Sequence, residues 1–191
     1  MREIIYFSRN AVTTGNFRDL MKAGRMDIVC HAVIMSFFIS NKLRENVKLH
    51  LFFYGKPDPP KHLELMPKVD EKFQLSKKDI AGLIRRMLFK YKKNRKIEAF
   101  PGCFVEKLSL SEFISSLNKK VYVLDKNGED IRKTDIIKDP VFIIGDHEGI
   151  PKDELKNINK TAEKISLGNL TYFSSQAITI LNNELDRREI I

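Results

Sequence analysis

Two stretches near the C-terminus decide the fold: Val141–Pro151, which reads VFIIGDHEGIP, and Ile165–Ile178, which reads ISLGNLTYFSSQAI. Each begins with a short apolar run typical of a buried strand and then breaks at a glycine. Glycine permits sharp turns and lets a ligand approach the main chain closely. The two breaks, at Gly145 and Gly168, therefore predict a ligand cradle built largely from backbone atoms.

Outward from these stretches, strands and helices alternate along most of the chain. The predicted strands are Arg2–Ser8, Val47–Tyr54, Lys61–Val69, Glu98–Val105, Val121–Leu124, Val141–Ile144 and Glu163–Leu167. Helical spacing and capping residues predict helices over Arg25–Asn41, from Ser76 onward, from Ser109 to about Asn118, over Lys152–Asn159 and over Ser174–Arg187. The connections include Val12–Gly24, a proline-rich loop at Gly55–Pro60 and a turn at Asp125–Asp130 around Asn127-Gly128.

This alternation predicts an α/β fold in which a mostly parallel sheet carries helices on both faces. Ligands of such sheets bind beyond the carboxyl ends of the strands, which is where both glycine breaks lie. The 191 residues, 42% of them hydrophobic, indicate a single domain over residues 1–191. The longest apolar stretch, Ile28–Ile39, is about half of the ~20 residues that a membrane span needs, and no secretory signal follows Met1. We therefore expect a cytoplasmic protein that does not enter a membrane.

The formal net charge of +9 favours an anionic partner, with nucleic acid as the first candidate. Between Arg85 and Lys96 the chain carries seven cations without an acidic residue, and Phe89 and Tyr91 are interleaved among them. RNA phosphates would relieve the repulsion among these cations, so we expect RNA contacts there, although a solvated helix face has the same pattern. The candidate RNA-binding residues are Arg85, Arg86, Lys90, Lys92, Lys93 and Arg95.

Several common ligand sites do not fit the motifs. The loop after the VFII strand lacks the GK[ST] of a P-loop and does not match the GxGxxG pattern of dinucleotide-binding folds. Asp146, His147 and Glu148 are consecutive, and three consecutive loop residues rarely converge on one metal ion. Cys30 and Cys103 have no metal-binding spacing and are expected to be reduced thiols. We expect no metal site.

Four stretches carry a resemblance to a known group: GRMDIVC at Gly24–Cys30, LFFYGKPDPP at Leu51–Pro60, Val141–Pro151, and Ile165–Asp186 with NELD near its end. Through them the chain resembles SPOUT-class RNA methyltransferases, the α/β-knot group. Within that class it is similar to the TrmY family of archaeal tRNA pseudouridine-54 N1-methyltransferases. The matching stretches are spread over nearly the whole chain.

The resemblance implies a C-terminal trefoil knot, S-adenosylmethionine (SAM) bound in a bent form, and a homodimer packed near the knot. It implies that the substrate is tRNA, methylated at N1 of a pseudouridine. Family members often carry cysteine at the position of Ala177, so a thiol has no role there in this chain. Carried over to this sequence, the cofactor site would include Leu124, Gly145, Leu167, Gly168, Asn169, Leu170, Thr171, Tyr172 and Ala177.

Methylation of pseudouridine requires that N1 lose its proton and approach the methyl group in line, so positioning and charge stabilisation would provide the catalysis. Arg25 and Asp27 are candidate catalytic residues, because they form a charged pair at the start of a helix that otherwise reads as buried. Arg25 would contact phosphate or the base anion, and Asp27 would orient Arg25 or receive the proton, although the helix dipole alone explains an aspartate there. Tyr172 would stack on the base or hydrogen-bond to it. His147 ranks below Asp27 as the proton acceptor.

Two other functions fit the same residues. A related SPOUT enzyme would methylate pseudouridine in ribosomal RNA, or a ribose 2′-hydroxyl. Alternatively, the chain is a non-catalytic RNA-binding or ribosome-assembly factor that retains the fold, although the two glycine loops argue for cofactor binding.

Overall fold

The computed structural model describes residues 1–40, 42–66, 76–158 and 161–190. Its strands are β1 (Arg2–Ser8), β2 (Phe38–Ile39), β3 (Lys42–Leu43), β4 (Val47–Phe53), β5 (Lys61–Leu65), β6 (Ile97–Phe100), β7 (Cys103–Glu106), β8 (Val121–Asp130), β9 (Val141–Gly145) and β10 (Ala162–Ser166). Its helices are α1 (Met26–Phe37), α2 (Lys77–Lys90), α3 (Leu110–Ser116), α4 (Lys152–Ile158) and α5 (Ser174–Arg187). Within the described ranges, no helix is both long and apolar enough to cross a membrane.

One sheet of eight strands, in the order β10-β8-β9-β1-β4-β5-β7-β6, forms the centre of the molecule. The strands from β10 to β4 are parallel, and β5, β7 and β6 extend the sheet in antiparallel fashion. The predicted α/β fold with a mostly parallel sheet is confirmed. Because parallel strands end at the same edge, β8, β9 and β10 deliver the two glycine loops to one edge of the sheet.

Alternate side chains of the strands enter two separate hydrophobic layers. On β1, Ile4 and Tyr6 join the layer that contains the buried residues of α1, α2 and α5. Ile5 and Phe7 join the layer that contains residues of α3 and α4. This division follows from the two-residue period of a strand, and burial of each such side chain contributes roughly 1.5–3 kcal/mol. Helices therefore cover both faces, as the sequence predicts.

Local capping signals set several helix bounds as predicted. The Ser76 hydroxyl accepts a hydrogen bond from the Asp79 N–H at 3.2 Å and begins α2. Ser109 and Glu112 form the predicted capping box of α3. The bounds of α5, Ser174–Arg187, coincide with the prediction. These signals act within one turn, which is why the sequence alone reveals them.

Helix α1 ends at Phe37, short of the predicted Asn41, because the chain turns into the small hairpin of β2 and β3. Phe38 is already extended, with φ −89° and ψ 131°. The Arg44 N–H donates to the Phe37 carbonyl at 2.7 Å and so satisfies an acceptor that the helix end leaves open. Asn41 lies outside the described residues. The same is true of Asn159 and of residues 67–69, the last part of the predicted strand Lys61–Val69.

The predicted end of the strand at Leu124 is wrong, because β8 continues to Asp130. The predicted turn lies within this strand, where the Asn127 N–H donates to the Asp125 carboxylate at 3.0 Å. The pairing of β8 with β10 jumps from Val123 to Glu129 while β10 advances by a single residue, so residues 124–128 bulge out of the ladder. A Cβ on Gly128 would lie 2.6 Å from backbone atoms of Ile165. Gly128 therefore permits the close approach of two strands.

Candidate functional site

A cavity of about 580 Å³ lies at the carboxyl ends of β8, β9 and β10, beside the start of α5. Small-molecule sites usually occupy roughly 300–1,000 Å³. Among the residues that line it are eight of the nine that the sequence predicts for the cofactor, Leu124, Gly145, Leu167, Gly168, Leu170, Thr171, Tyr172 and Ala177. The ninth, Asn169, lies between two lining residues without itself lining the cavity. The fold thus brings the two glycine loops together around one space.

The cavity wall combines apolar side chains with exposed main chain. Ile144 and Ile165 are buried at the ends of β9 and β10, and Leu124, Leu167 and Ala177 add further apolar surface. Gly145, Gly149 and Gly168 also line the cavity, and a glycine can present only main-chain atoms to it. A flat heteroaromatic ring with a polar edge fits such a lining, because apolar contacts hold its faces and the main chain pairs with its edge.

Two glycines shape the cavity. A Cβ on Gly145 would lie 2.8 Å from the carbonyl carbon of Gly149, so a side chain there would force the loop apart. Gly168 has a φ of 114°, which other residues rarely adopt. The Ser166 hydroxyl holds this turn, since it accepts from the Gly168 N–H at 3.1 Å and donates to the Gly168 carbonyl at 3.0 Å.

Ser174, the first residue of α5, links the two loops. Its buried hydroxyl donates to the Gly145 carbonyl at 2.8 Å, so the helix that follows the second loop is attached to the first loop. The buried Tyr6 side chain lies close to Ser174. Burial, and next the negative charge of Asp146, raise the pKa of the Tyr6 hydroxyl, which therefore stays protonated.

Asp146 anchors the first loop. Its buried carboxylate accepts from the Ser8 hydroxyl at 2.9 Å, the Arg9 N–H at 3.0 Å and the Glu148 N–H at 2.9 Å. The carboxylate thereby joins the end of β9 to the end of β1. His147 lines the cavity with a partly exposed side chain, and its Nε2 lies 4.0 Å from the Glu148 carboxylate.

The sequence did not reveal Ser8, Tyr6 or Ser174 as part of this site. The two serines do not stand out, since a serine at the end of a strand or the start of a helix is common. Tyr6 has the pattern of an ordinary buried strand residue. The pairing of β1 with β9 brings Tyr6 and Ser8 to the first glycine loop, and the start of α5 brings Ser174 there. Both contacts join segments that are far apart in the chain.

Arg25 and Asp27 form the charged pair that the sequence predicts. The guanidinium donates from Nε and Nη2 to the two carboxylate oxygens, at 3.0 Å each. Arg25 caps α1 in the left-handed conformation, with φ 61°, and the preceding Gly24 is so tightly packed that a Cβ would lie 1.6 Å from the Asn10 carbonyl oxygen. Neither side chain lines the cavity, but Ile28 on the same helical turn does. The pair therefore lies beside the cavity.

The pairing changes the chemistry of Asp27. Hydrogen bonds from Arg25 hold the pKa of the Asp27 carboxyl below its usual value. A carboxylate with a lowered pKa is a poor proton acceptor near neutral pH. This favours the orienting role of Asp27 over the role of proton acceptor.

The mouth of the cavity is apolar. Tyr172 lines the cavity and is 37% exposed, and the neighbouring Phe173 and the nearby Leu170 are 69% and 68% exposed. Tyr172 thus lies between the cavity and solvent, where a second reactant would enter. Leu170 and Phe173 leave an apolar surface beside it.

The basic segment is exposed, which both the RNA-binding and the solvated-helix interpretations require. Within the part of the chain that the structure describes, none of its six candidate RNA-binding cations, Arg85, Arg86, Lys90, Lys92, Lys93 and Arg95, is paired with a carboxylate, and all six are exposed. Lys96 differs, because its ammonium lies 2.8 Å from Glu64 and 3.7 Å from Glu106. The segment also adjoins the loop that leads to Arg25, since the Arg85 guanidinium lies 5.7 Å from the centre of the Phe17 ring.

A second polar cluster is buried away from the cavity. His50 Nδ1 lies 2.9 Å from His62 Nε2, His50 Nε2 lies 3.1 Å from Glu3, and His62 Nδ1 lies 3.0 Å from Glu106. Glu64 is close enough to offer a further ligand atom to the two imidazoles. All four ring nitrogens are already engaged in this chain of contacts, which joins β1, β4, β5 and β7.

Comparison with known proteins extends the similarity over the whole chain. Residues 1–190 match the profile of the family described as "Putative SAM-dependent RNA methyltransferase". A tRNA (pseudouridine(54)-N(1))-methyltransferase of Methanosarcina acetivorans is 36% identical over 195 residues, which cover 99% of this chain and 92% of the relative. The enzyme of the same name from Pyrococcus abyssi is 34% identical over 200 residues, which cover 98% of both chains.

Among solved structures, Archaeoglobus fulgidus Nep1 bound to S-adenosylhomocysteine has the same fold. The two structures superpose with a TM-score of 0.65 over 98% of each chain, and 12% of the residues are identical.

Proposed function

Since the chain belongs to the SAM-dependent RNA methyltransferase family whose profile it matches over residues 1–190, we propose that it methylates N1 of pseudouridine 54 in tRNA. The observation that carries this proposal is the meeting of the Gly145 and Gly168 loops around one cavity. The 36% identity to a curated enzyme with that activity supports the choice of RNA and nucleotide. An enzyme is favoured over a non-catalytic RNA-binding protein because the cavity is intact.

The cavity fits SAM. Main-chain groups around Gly145 and Gly168 would pair with the edge of the adenine, and the apolar side chains of Leu124, Leu167 and Ala177 would hold its faces. When bound, SAM supplies a methyl group activated by a positively charged sulfur. The proposed contact set is Leu124, Gly145, Leu167, Gly168, Asn169, Leu170, Thr171, Tyr172 and Ala177.

The base would lie between Tyr172 and the Arg25–Asp27 pair. Tyr172, at the mouth of the cavity, would stack on the ring or hydrogen-bond to it. Arg25 is 41% exposed despite its two bonds to Asp27, so its guanidinium can also contact the anion that forms as N1 loses its proton. Asp27 would hold the guanidinium in place. His147 remains available at the cavity wall as an alternative proton acceptor.

The exposed cations of α2 and the residues after it would bind the RNA backbone. They adjoin the loop that ends at Arg25, so one subunit can carry both the RNA contacts and the base site. Phosphate neutralisation at Arg85, Arg86, Lys90, Lys92, Lys93 and Arg95 would release counterions and make binding depend strongly on salt.

We also propose the trefoil knot, the homodimer, the single domain and the cytoplasmic location that the resemblance and the sequence imply. Arg188, which follows α5, donates to the carbonyls of Ile131 and Thr134, so the end of α5 packs against the connection between β8 and β9 that the proposed knot would involve. The dimer is supported by the exposed apolar Leu170 and Phe173. Light scattering of the purified protein would test the dimer, and a monomer at micromolar concentration would contradict it.

Methyl transfer to two tRNAs tests the proposed reaction. One transcript carries pseudouridine at position 54 and the other carries uridine, which has no N1–H. We expect a methylated nucleoside only from the first, identified by mass spectrometry after digestion. Equal methylation of both would overturn the N1 assignment and favour a ribose 2′-hydroxyl target.

Two controls separate the alternatives. A ribosomal RNA fragment that contains pseudouridine should be a poor substrate, and preference for it over tRNA would reassign the substrate. Calorimetry should detect SAM binding to the wild-type protein and not to Gly145→Val, whose side chain would displace the loop at Gly149. A wild-type protein that does not bind SAM would favour the non-catalytic function.

A further inference from the structure

Phe89 is an exposed aromatic side chain in the middle of the basic surface. It lies near the end of α2 and is 62% exposed. A single exposed apolar side chain is common on protein surfaces, so the exposure of Phe89 matters here only because the ring lies among uncompensated cations. The exposed cations Arg85, Arg86, Lys90, Lys92 and Lys93 surround it along the chain.

The Phe89 ring is held in position by the loop that leads to Arg25. A Cβ on Gly15 would lie 2.6 Å from Cδ2 of Phe89, so the ring packs directly on bare backbone. The same Cβ would lie 2.5 Å from the Arg85 carbonyl oxygen, which shows that the loop sits tightly on α2. One edge of the Phe89 ring therefore rests on the backbone at Gly15, and the rest of the ring is open to solvent.

The neighbouring aromatic side chains are already occupied. The Lys61 ammonium lies 4.1 Å from the centre of the Tyr91 ring. The Phe100 ring faces the Arg86 guanidinium at 5.1 Å and the Lys90 ammonium at 4.3 Å. Phe89 is thus the aromatic residue of this surface that is most available to a partner.

We propose that Phe89 is a stacking platform for an unpaired base of the RNA substrate, with the surrounding cations binding the phosphates on either side. This proposal rests on the proposed function and adds a specific contact to it. Every base has a flat face that stacks on an aromatic ring, whereas a base inside a duplex is already stacked on both sides. The platform therefore selects a loop or an otherwise single-stranded segment.

The location connects the platform to the reaction site. Gly15, which supports the ring, belongs to the same loop as Gly24, which immediately precedes Arg25. A strand anchored at Phe89 would follow this loop toward the base site within one subunit. Charge complementarity favours RNA over a second copy of this chain, because a second copy would bring an equally basic surface.

Equilibrium binding of tRNA at several salt concentrations tests the platform. We expect Phe89→Ala to weaken binding by about 5- to 100-fold, as loss of one base–aromatic stack does. The slope of log K against log[salt] should stay unchanged, because no charge is lost. Phe89→Trp should restore the affinity. Arg86→Ala should reduce the magnitude of the slope by about one unit, as the loss of one phosphate contact does. Wild-type affinity in Phe89→Ala, or failure of the tryptophan to rescue, would overturn the proposal.

Further measurements separate this proposal from others. Ile137→Ala removes an apolar side chain that is 48% exposed on another part of the surface, and it should bind tRNA as the wild type does. Phe89→Ala should bind SAM normally in calorimetry and keep its oligomeric state in light scattering. A change of oligomeric state would assign Phe89 to a contact between copies of the chain. A wild-type protein that binds tRNA without methylating it would refute the proposed function without contradicting the role of Phe89 in RNA binding.

Discussion

At the scale of single residues, the bidentate contact between Arg25 and Asp27 makes the identity of both side chains testable. A lysine in place of Arg25 keeps the charge but cannot make two parallel hydrogen bonds. We expect Arg25→Lys to lower kcat/KM for methyl transfer by at least about tenfold, because the group beside the base loses its orientation. Steady-state kinetics with pseudouridine-containing tRNA measures this.

Arg18→Lys is the matched control for that substitution, because Arg18 is an exposed arginine of the same loop. It should leave kcat/KM within about twofold. Calorimetry should give wild-type SAM affinity for Arg25→Lys, since the pair does not line the cavity. Unchanged activity in Arg25→Lys would remove the pair from the catalytic machinery.

A second test at this scale concerns Asp146. Replacement by alanine leaves the Ser8 hydroxyl and the N–H groups of Arg9 and Glu148 without their acceptor. We expect a loss of about 2–3 kcal/mol in the free energy of unfolding and weaker SAM binding, because buried donors without partners are costly. Urea denaturation and calorimetry measure the two effects.

Glu148→Ala is the control in the same loop. The Glu148 carboxylate accepts one exposed hydrogen bond from Asn10, at 2.9 Å, so its loss should cost less than about 1 kcal/mol. Equal losses for the two variants would show that Asp146 does not hold the loop in place.

At the scale of elements, the buried chain Glu3–His50–His62–Glu106 ties four strands together and makes stability depend on pH. Burial lowers the pKa of His62 to about 4. Burial opposes the ionisation of Glu3, but hydrogen bonds from His50 and Lys119 outweigh it and lower the pKa of Glu3 to about 2. Both groups therefore bind protons more tightly in the unfolded chain than in the folded protein.

The sign of the pH effect follows from these two shifts. Stability should fall as the pH drops through about 6.5, where an unfolded histidine takes up its proton, toward 4. The expected loss is about 2 kcal/mol between pH 7 and pH 5, and Glu3 adds to it below pH 4.5. Urea denaturation at a series of pH values measures the curve.

His62→Gln should flatten this acid-side loss, because glutamine does not titrate. His31→Gln, which replaces an exposed histidine of α1, should keep the wild-type curve. If the two variants lose stability in parallel on acidification, the buried chain is not the source of the pH dependence.

At the scale of the whole molecule, Arg2 joins the first strand to the last helix. The side chain is almost fully buried, and its guanidinium donates to Asn182, to the Asp186 carboxylate at 2.9 Å and to the Ile190 carbonyl at 2.8 Å. Arg44 also donates two hydrogen bonds to the Asp186 carboxylate, at 2.8 and 2.6 Å. This arrangement fixes α5, whose first residue closes the cavity.

We expect Arg2→Met to reduce the free energy of unfolding by about 3 kcal/mol, because several buried acceptors lose their donor while Asp186 keeps Arg44. SAM affinity should fall as well, since the start of α5 carries Ser174. Arg187→Met is the matched control in an exposed position and should cost less than about 1 kcal/mol. Equal stability of Arg2→Met and the wild type would show that α5 is held by apolar packing alone.

The sequence by itself determined the alternation of strands and helices, the caps at Ser76 and Ser109, the bounds of α5 and the two glycine loops. It also indicated eight of the residues that line the cavity, through a resemblance carried by local motifs. These features depend on periodicity, on capping and on the steric freedom of glycine, all of which act over a few residues.

Only the tertiary structure decided the rest: the antiparallel half of the sheet, the extension of β8 along β10, the anchoring of Asp146 by Ser8, and the support of Phe89 by Gly15. Each of these depends on contacts between segments that are distant in the chain. Such contacts follow from how the strands pair and how the loops pack, and a local pattern of residues does not specify that arrangement.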